Sequence, residues 1–132
     1  AGLKIRELDR KTCKVTVNYK RLNKNPFKST FWAVLGMAAE MSSGAFIMMY
    51  TYKTKPSIAT LVVENSAKYY KKAVGRTTFV CHSGEDIANA IKLAVDSGQA
   101  QTVVCPMKGV DESGDTVCEY SFTWSFKARS SK

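Results

Sequence analysis

FWAVLGMAAEMSSGAFIMMY, residues 31–50, decides how the rest of the chain is read. About 20 predominantly apolar residues is what a helix needs to cross the hydrocarbon core of a bilayer. This run, however, carries Glu40 near its middle, together with Ser42, Ser43 and two glycines. A carboxylate at the bilayer centre costs roughly 2.5–3.5 kcal/mol even on the lenient insertion scale. The stretch therefore reads as a helix that is apolar nearly all round because a soluble protein buries it nearly all round, and not as a membrane span. Glu40 is then expected to be a buried acid.

The composition agrees with that reading. In 132 residues, 45% are hydrophobic and 23% charged, which suits one domain, residues 1–132, with a sizeable core. The first residues, AGLKIRELDRK, show no basic stretch followed by an apolar one, so no secretory signal is visible. They already look like a strand, so the sequence begins abruptly, and whether a start methionine and a leading segment precede it stays open. Cys13, Cys81, Cys105 and Cys118 are scattered through apolar, strand-like contexts without a CxxC pair. They read as packed thiols; disulfides stay open, but a reducing cytoplasm is the simpler expectation. One histidine and no clustered cysteines offer no zinc site.

The net charge of +9 calls for an anionic partner or a solvated basic surface. The excess gathers in KYYKKAVGR (68–76), YKRLNKNPFK (19–28) and the tail KARSSK (127–132). Tyrosines among lysines suit single-stranded nucleic acid, where aromatics stack on bases, and suit the phosphates of a small molecule equally. Because the clusters are short and separated, the phosphorylated small molecule is expected and nucleic acid is not.

Working outward from the helix, LKIREL and TCKVTVNY form a hairpin about Asp9-Arg10-Lys11. The loop KRLNKNPFKS leads into the helix, with Asn25-Pro26 disfavouring helix before it and Ser29 or Thr30 able to cap it. Beyond Pro56, SIATLVVENSAKYY and RTTFVCH read as strands. Ser83 caps a short amphipathic helix, GEDIANAIKLAVDSG, which Gly98 stops. TVVCPMKGV and TVCEYSFTWSFKAR make a closing hairpin whose last strand alternates Cys118, Tyr120, Phe122, Trp124 and Phe126 against polar residues. No P-loop, Gly-rich dinucleotide turn, serine-nucleophile motif or internal repeat is present.

One long apolar helix among five or six antiparallel strands predicts an α+β fold in which a curled sheet wraps the helix. This order resembles the hotdog fold, and NKNPFKSTFWAVLGMAAEMSSGAF is similar to the loop and central helix of acyl-CoA thioesterases built on it. More narrowly, NKNPFKSTFWA, AAEMSSG, KYYKKA and FTWSFKAR resemble an uncharacterised hotdog group, domain of unknown function 4442. The resemblance implies an acyl-CoA thioesterase, with coenzyme A as part of the substrate and no separate cofactor. The alternative it implies is a non-catalytic binder of acyl or lipid-like ligands. In those enzymes a loop Asn or Gln lies fifteen positions before a helix Asp or Glu, a spacing kept here by Asn25 and Glu40. They usually carry His-Gly-Gly at the helix start, where this chain has Phe31 and Trp32, so the indole crowds the place of the thioester. The hotdog dehydratases pair a His with an acid, but His82 lies far in sequence from the helix start and does not fit that role.

Physical chemistry assigns the same residues roles. A buried carboxylate beside an apolar pocket serves as general base, and free N–H groups at a helix N-terminus stabilise an oxyanion. Asn25 adds an amide donor or holds the water, Ser43 shares the Glu40 face and orients it, and Lys71 and Lys72 are candidates for the phosphates of coenzyme A. Glu40 lies ten residues from Thr30, roughly 15 Å along the axis, so it cannot serve its own helix start. A site that uses both needs two chains related by a twofold. The resemblance likewise implies a homodimer, or a tetramer built from it.

Overall fold

The computed structural model describes residues 2–18 and 32–130. Its elements are β1 (Leu3–Leu8), β2 (Cys13–Asn18), α1 (Trp32–Thr51), β3 (Ile58–Tyr69), β4 (Arg76–Cys81), α2 (Gly84–Ser97), β5 (Gln101–Val110) and β6 (Thr116–Ala128). The strands form a single sheet in the order β1-β2-β4-β5-β6-β3, antiparallel at every pairing.

Alternation makes the inner face. Val15 and Val17 of β2, Phe79 and Cys81 of β4, Cys105 and Met107 of β5, and Tyr120, Phe122 and Phe126 of β6 are buried there. All four cysteines are free and buried, as packed thiols. α1 lies on this face and buries Leu35, Ala38, Ala39, Ala45, Phe46 and Ile47. Small residues let its axis come close to the sheet, and Phe46 fills the gap beside them. Gly109 serves the same closeness between strands: a Cβ there would lie 2.8 Å from both the Cys118 Sγ and the Phe79 ring.

The helix is not buried all round. Half of its most apolar window is buried, and the opposite side presents Met37, Glu40 and Met48 to solvent. The expectation of a buried Glu40 is thus corrected: among the described residues nothing covers its side of the helix. The length and composition that would suit a membrane span belong here to a helix seated on a sheet.

α2 closes one end of the core with Ile87, Ile91 and Ala94. Its C-terminus is as expected, since Gly98 is left-handed at φ 70° and donates its N–H to the Ala94 carbonyl. Its N-terminus differs, because the Ser83 side chain makes no capping bond and only its carbonyl accepts, from Ile87 N–H at 2.9 Å. Gly84 follows because a Cβ there would fall 2.1 Å from the Arg10 carbonyl oxygen of the first hairpin.

Candidate active site

α1 rests chiefly on β2, β4 and β5 and only lightly on β6. The sheet continues past β6 to β3, where Val62, Asn65, Ala67 and Tyr69 stand opposite Trp124, Phe122, Tyr120 and Cys118 in register. Cross-strand partners share a face, so β3 extends the inner face beyond the helix, and Asn65, Ala67 and Tyr69 are exposed there. This leaves a stretch of inner sheet face beside α1 open among the described residues, next to an aromatic cluster. Tyr120 stacks on Phe122 at 6.0 Å and meets Tyr69 edge-on at 5.8 Å.

The helix side next to this cluster carries residues four apart: Gly36, Glu40 and Gly44. A Cβ at Gly36 would lie 3.6 Å from the Tyr120 ring, and one at Gly44 would lie 4.0 Å from Trp124. Glu40 is therefore the one side chain of this column that projects, and its carboxylate has no ion pair among the described residues.

Ser43 does not orient it. The Ser43 hydroxyl donates to the Glu40 backbone carbonyl at 3.0 Å and accepts from Trp124 Nε1 at 3.0 Å, while the residue is fully buried. Its role is to satisfy the indole N–H between helix and sheet, and its full burial keeps it from a substrate. At the helix start, the Tyr120 hydroxyl donates to the Trp32 carbonyl at 3.1 Å and accepts from the Tyr69 hydroxyl. Burial, then the Tyr69 hydrogen bond, push the Tyr120 phenol well above its ordinary range, so it stays neutral. The Trp32 side chain is itself 70% exposed.

Asn25 and Phe31 lie outside the described residues. Lys72 is exposed. Lys71 is committed elsewhere: its Nζ lies 2.8 Å from Asp111 and 3.1 Å from Asp115, across the β5–β6 turn. Those carboxylates raise the Lys71 ammonium above its usual range, and Lys71 in turn holds the Asp111 carboxyl below its own. Its charge is balanced within the chain, which argues against the phosphate contact expected of it. The Tyr69–Tyr120 pair and Trp124 are the residues that sequence reasoning did not single out. The alternation of β6 pointed them inward, but nothing in the sequence announced their hydroxyl and indole partners.

A separate cavity of about 610 Å³ lies on the outer face, over the register row Val80, Lys108, Glu119 and Lys68. His82 lines it, with Nδ1 3.3 Å from the Thr12 hydroxyl, so the histidine stands across the sheet from Glu40. Among the described residues no group of His, Cys, Asp and Glu could hold a metal.

The family described as domain of unknown function (DUF4442) matches over residues 1–126. The chain belongs to it. Two solved structures are similar to the chain at 19% identity. A protein of unknown function from Pseudomonas aeruginosa, described as a probable thioesterase, has a TM-score of 0.82, covering 97% of this chain and 84% of that one. A protein of unknown function from Chlorobaculum tepidum TLS has a TM-score of 0.81, covering 97% and 83%. A thioesterase from Haemophilus influenzae, 12% identical, has a TM-score of 0.67 and covers 96% and 79%. No curated protein matches. The six-stranded antiparallel sheet around a long helix, with a second small helix, is the hotdog fold.

Proposed function

We propose that the protein is an acyl-CoA thioesterase that works as a homodimer, with Glu40 as general base. The observation that carries this reading is the exposed Glu40 carboxylate, set between two glycines that pack against the aromatic residues of β6. Thioesterase descriptions among the similar structures support the same chemistry. Glu40 takes a proton from water, the water oxygen bonds to the thioester carbonyl carbon, and the C–S bond breaks as the proton passes to the leaving thiolate. Free N–H groups at a helix start stabilise the oxyanion, and Asn25 orients the water.

Glu40 is eight residues into α1, about 12 Å of helical rise from Trp32, so those donors come from a second copy. Two features of the single chain favour such a copy. β3 is a 12-residue strand with one edge unpaired among the described residues, an arrangement proteins normally cover. Leu61, Val63, Met37 and Met48 are exposed apolar side chains beside it and on the open side of α1. The four free thiols fit a reducing compartment such as the cytoplasm.

The test is thiol release from a panel of acyl-CoAs. Glu40→Gln should lower the rate about 10²-fold or more while the fold persists. An unchanged rate per folded molecule would remove Glu40 as the base. The exposed Trp32 indole at the helix start favours a second reading, a non-catalytic acyl binder. That reading predicts a ligand-raised melting temperature with no thiol released.

A further inference from the structure

We infer that the basic concavity where β3 begins and β6 ends is an anion site for the phosphorylated nucleotide end of a coenzyme-A-type thioester, held by Lys55, Lys127 and Arg129. The inference deepens the thioesterase reading and rests on it for the identity of the ligand, but the site itself stands on its own geometry.

The described basic clusters are not equivalent. In the 68–76 segment, Lys71 is bound by Asp111 and Asp115, Lys68 stands opposite Glu119 in register, and Arg76 donates its backbone N–H to Glu112. In the concavity near the C-terminus, about 1040 Å³ in volume, the lining holds three cations and the Ser130 hydroxyl but no carboxylate. Each of the six salt bridges among the described residues uses a different lysine from these.

The fold brings the three together for local reasons. Lys127 pairs with Ala59 and Ala128 with Ile58, which aligns the end of β6 with the start of β3. The Arg129 backbone N–H then donates to the Ser57 carbonyl at 2.9 Å, so Arg129 is tied to the segment that carries Lys55. Arginine offers a planar pair of donors suited to phosphate, and the lysines add point charges. The opposing field is small. The C-terminal end of α2 at Gly98 contributes about half a negative charge against three full positive ones.

The experiment uses adenosine 3′,5′-bisphosphate as the probe, titrated calorimetrically into the wild type, the double variant Lys127→Gln/Arg129→Gln, and Lys71→Gln. The double variant should bind about tenfold more weakly or worse, with affinity in the wild type falling as salt rises, and Lys71→Gln should bind like the wild type. In hydrolysis assays the double variant should raise KM for acyl-CoA with kcat unchanged and leave acyl-pantetheine, which has no phosphate, unaffected. If no thioester is cleaved at all, the calorimetric result still decides the anion site, so the two failures are distinguishable. Equal binding by the double variant, an equal loss in Lys71→Gln, or preference for anionic phospholipid vesicles over the bisphosphate would overturn the inference.

Discussion

β6 and β3 are the two longest strands, 13 and 12 residues, and they pair with each other along most of their length, yet their burial is opposite. β6 is flanked by β5 and β3 and buries Cys118, Tyr120, Phe122 and Phe126. Among the described residues β3 has a neighbour on one side only, and Ile58 is its single buried residue. The contrast shows that the pairing of a strand and the cover over its face are separate matters. Hydrogen bonding fixes β3 in the sheet, while the two described helices pack elsewhere. Its apolar Leu61 and Val63 thus answer to something other than the chain's own core.

The contrast can be broken first at its buried side. Phe126→Ala should cost about 3–5 kcal/mol in urea unfolding, because the ring is fully buried, whereas Leu61→Ala on β3 should cost under about 0.5 kcal/mol in a monomeric state. A smaller loss is expected where β6 meets the helix. Trp124→Phe removes the indole N–H donated to Ser43 and should cost about 1 kcal/mol in the same measurement. The open side is sharpened by adding charge: light scattering at micromolar concentration should show a dimer for the wild type. Leu61→Lys with Val63→Lys should shift it towards monomer while the stability of each chain barely moves. A wild-type monomer would end the composite site.

The smallest effect belongs to Lys71, next to the end of β3. Asp111, its carboxyl lowered mainly by Lys71, contributes stability above its ordinary value of 3.8 that is lost as pH falls through the depressed one. Lys71, raised mainly by Asp111, contributes below 10.5 and loses that as pH rises through the raised value. Thermal melts of wild type and Lys71→Gln should therefore differ at neutrality and converge in both strong acid and strong alkali.

Much of this was readable from the sequence, for reasons that differ by element. The alternation of β6 placed its aromatics inward because large side chains repeat every second residue, and Gly98 ended α2 because only a left-handed residue closes that turn. The exposure of Glu40 was not readable. Met37 and Met48 make the open side of α1 as apolar as its buried side, so the pattern cannot tell cover by the sheet from cover by another molecule. The charge balance of Lys71 was hidden too, since Asp111 lies forty residues away. Lys55 likewise meets Lys127 and Arg129 only once β3 and β6 are in register. Of the two residues proposed to act together, Glu40 lies on the helix as expected but exposed where burial was expected, and Asn25 lies outside the described residues.

The two tryptophans give the molecule an optical consequence. Trp124 packs against the helix with its N–H satisfied, whereas Trp32 sits 70% exposed at the start of α1. An indole in contact with water emits to the red and is open to quenching by small solutes; a packed indole emits to the blue and is shielded. The native spectrum is thus a sum of two colours with separate meanings. Occupation of the helix start should change the red component alone, and loss of the core should draw the blue one into it.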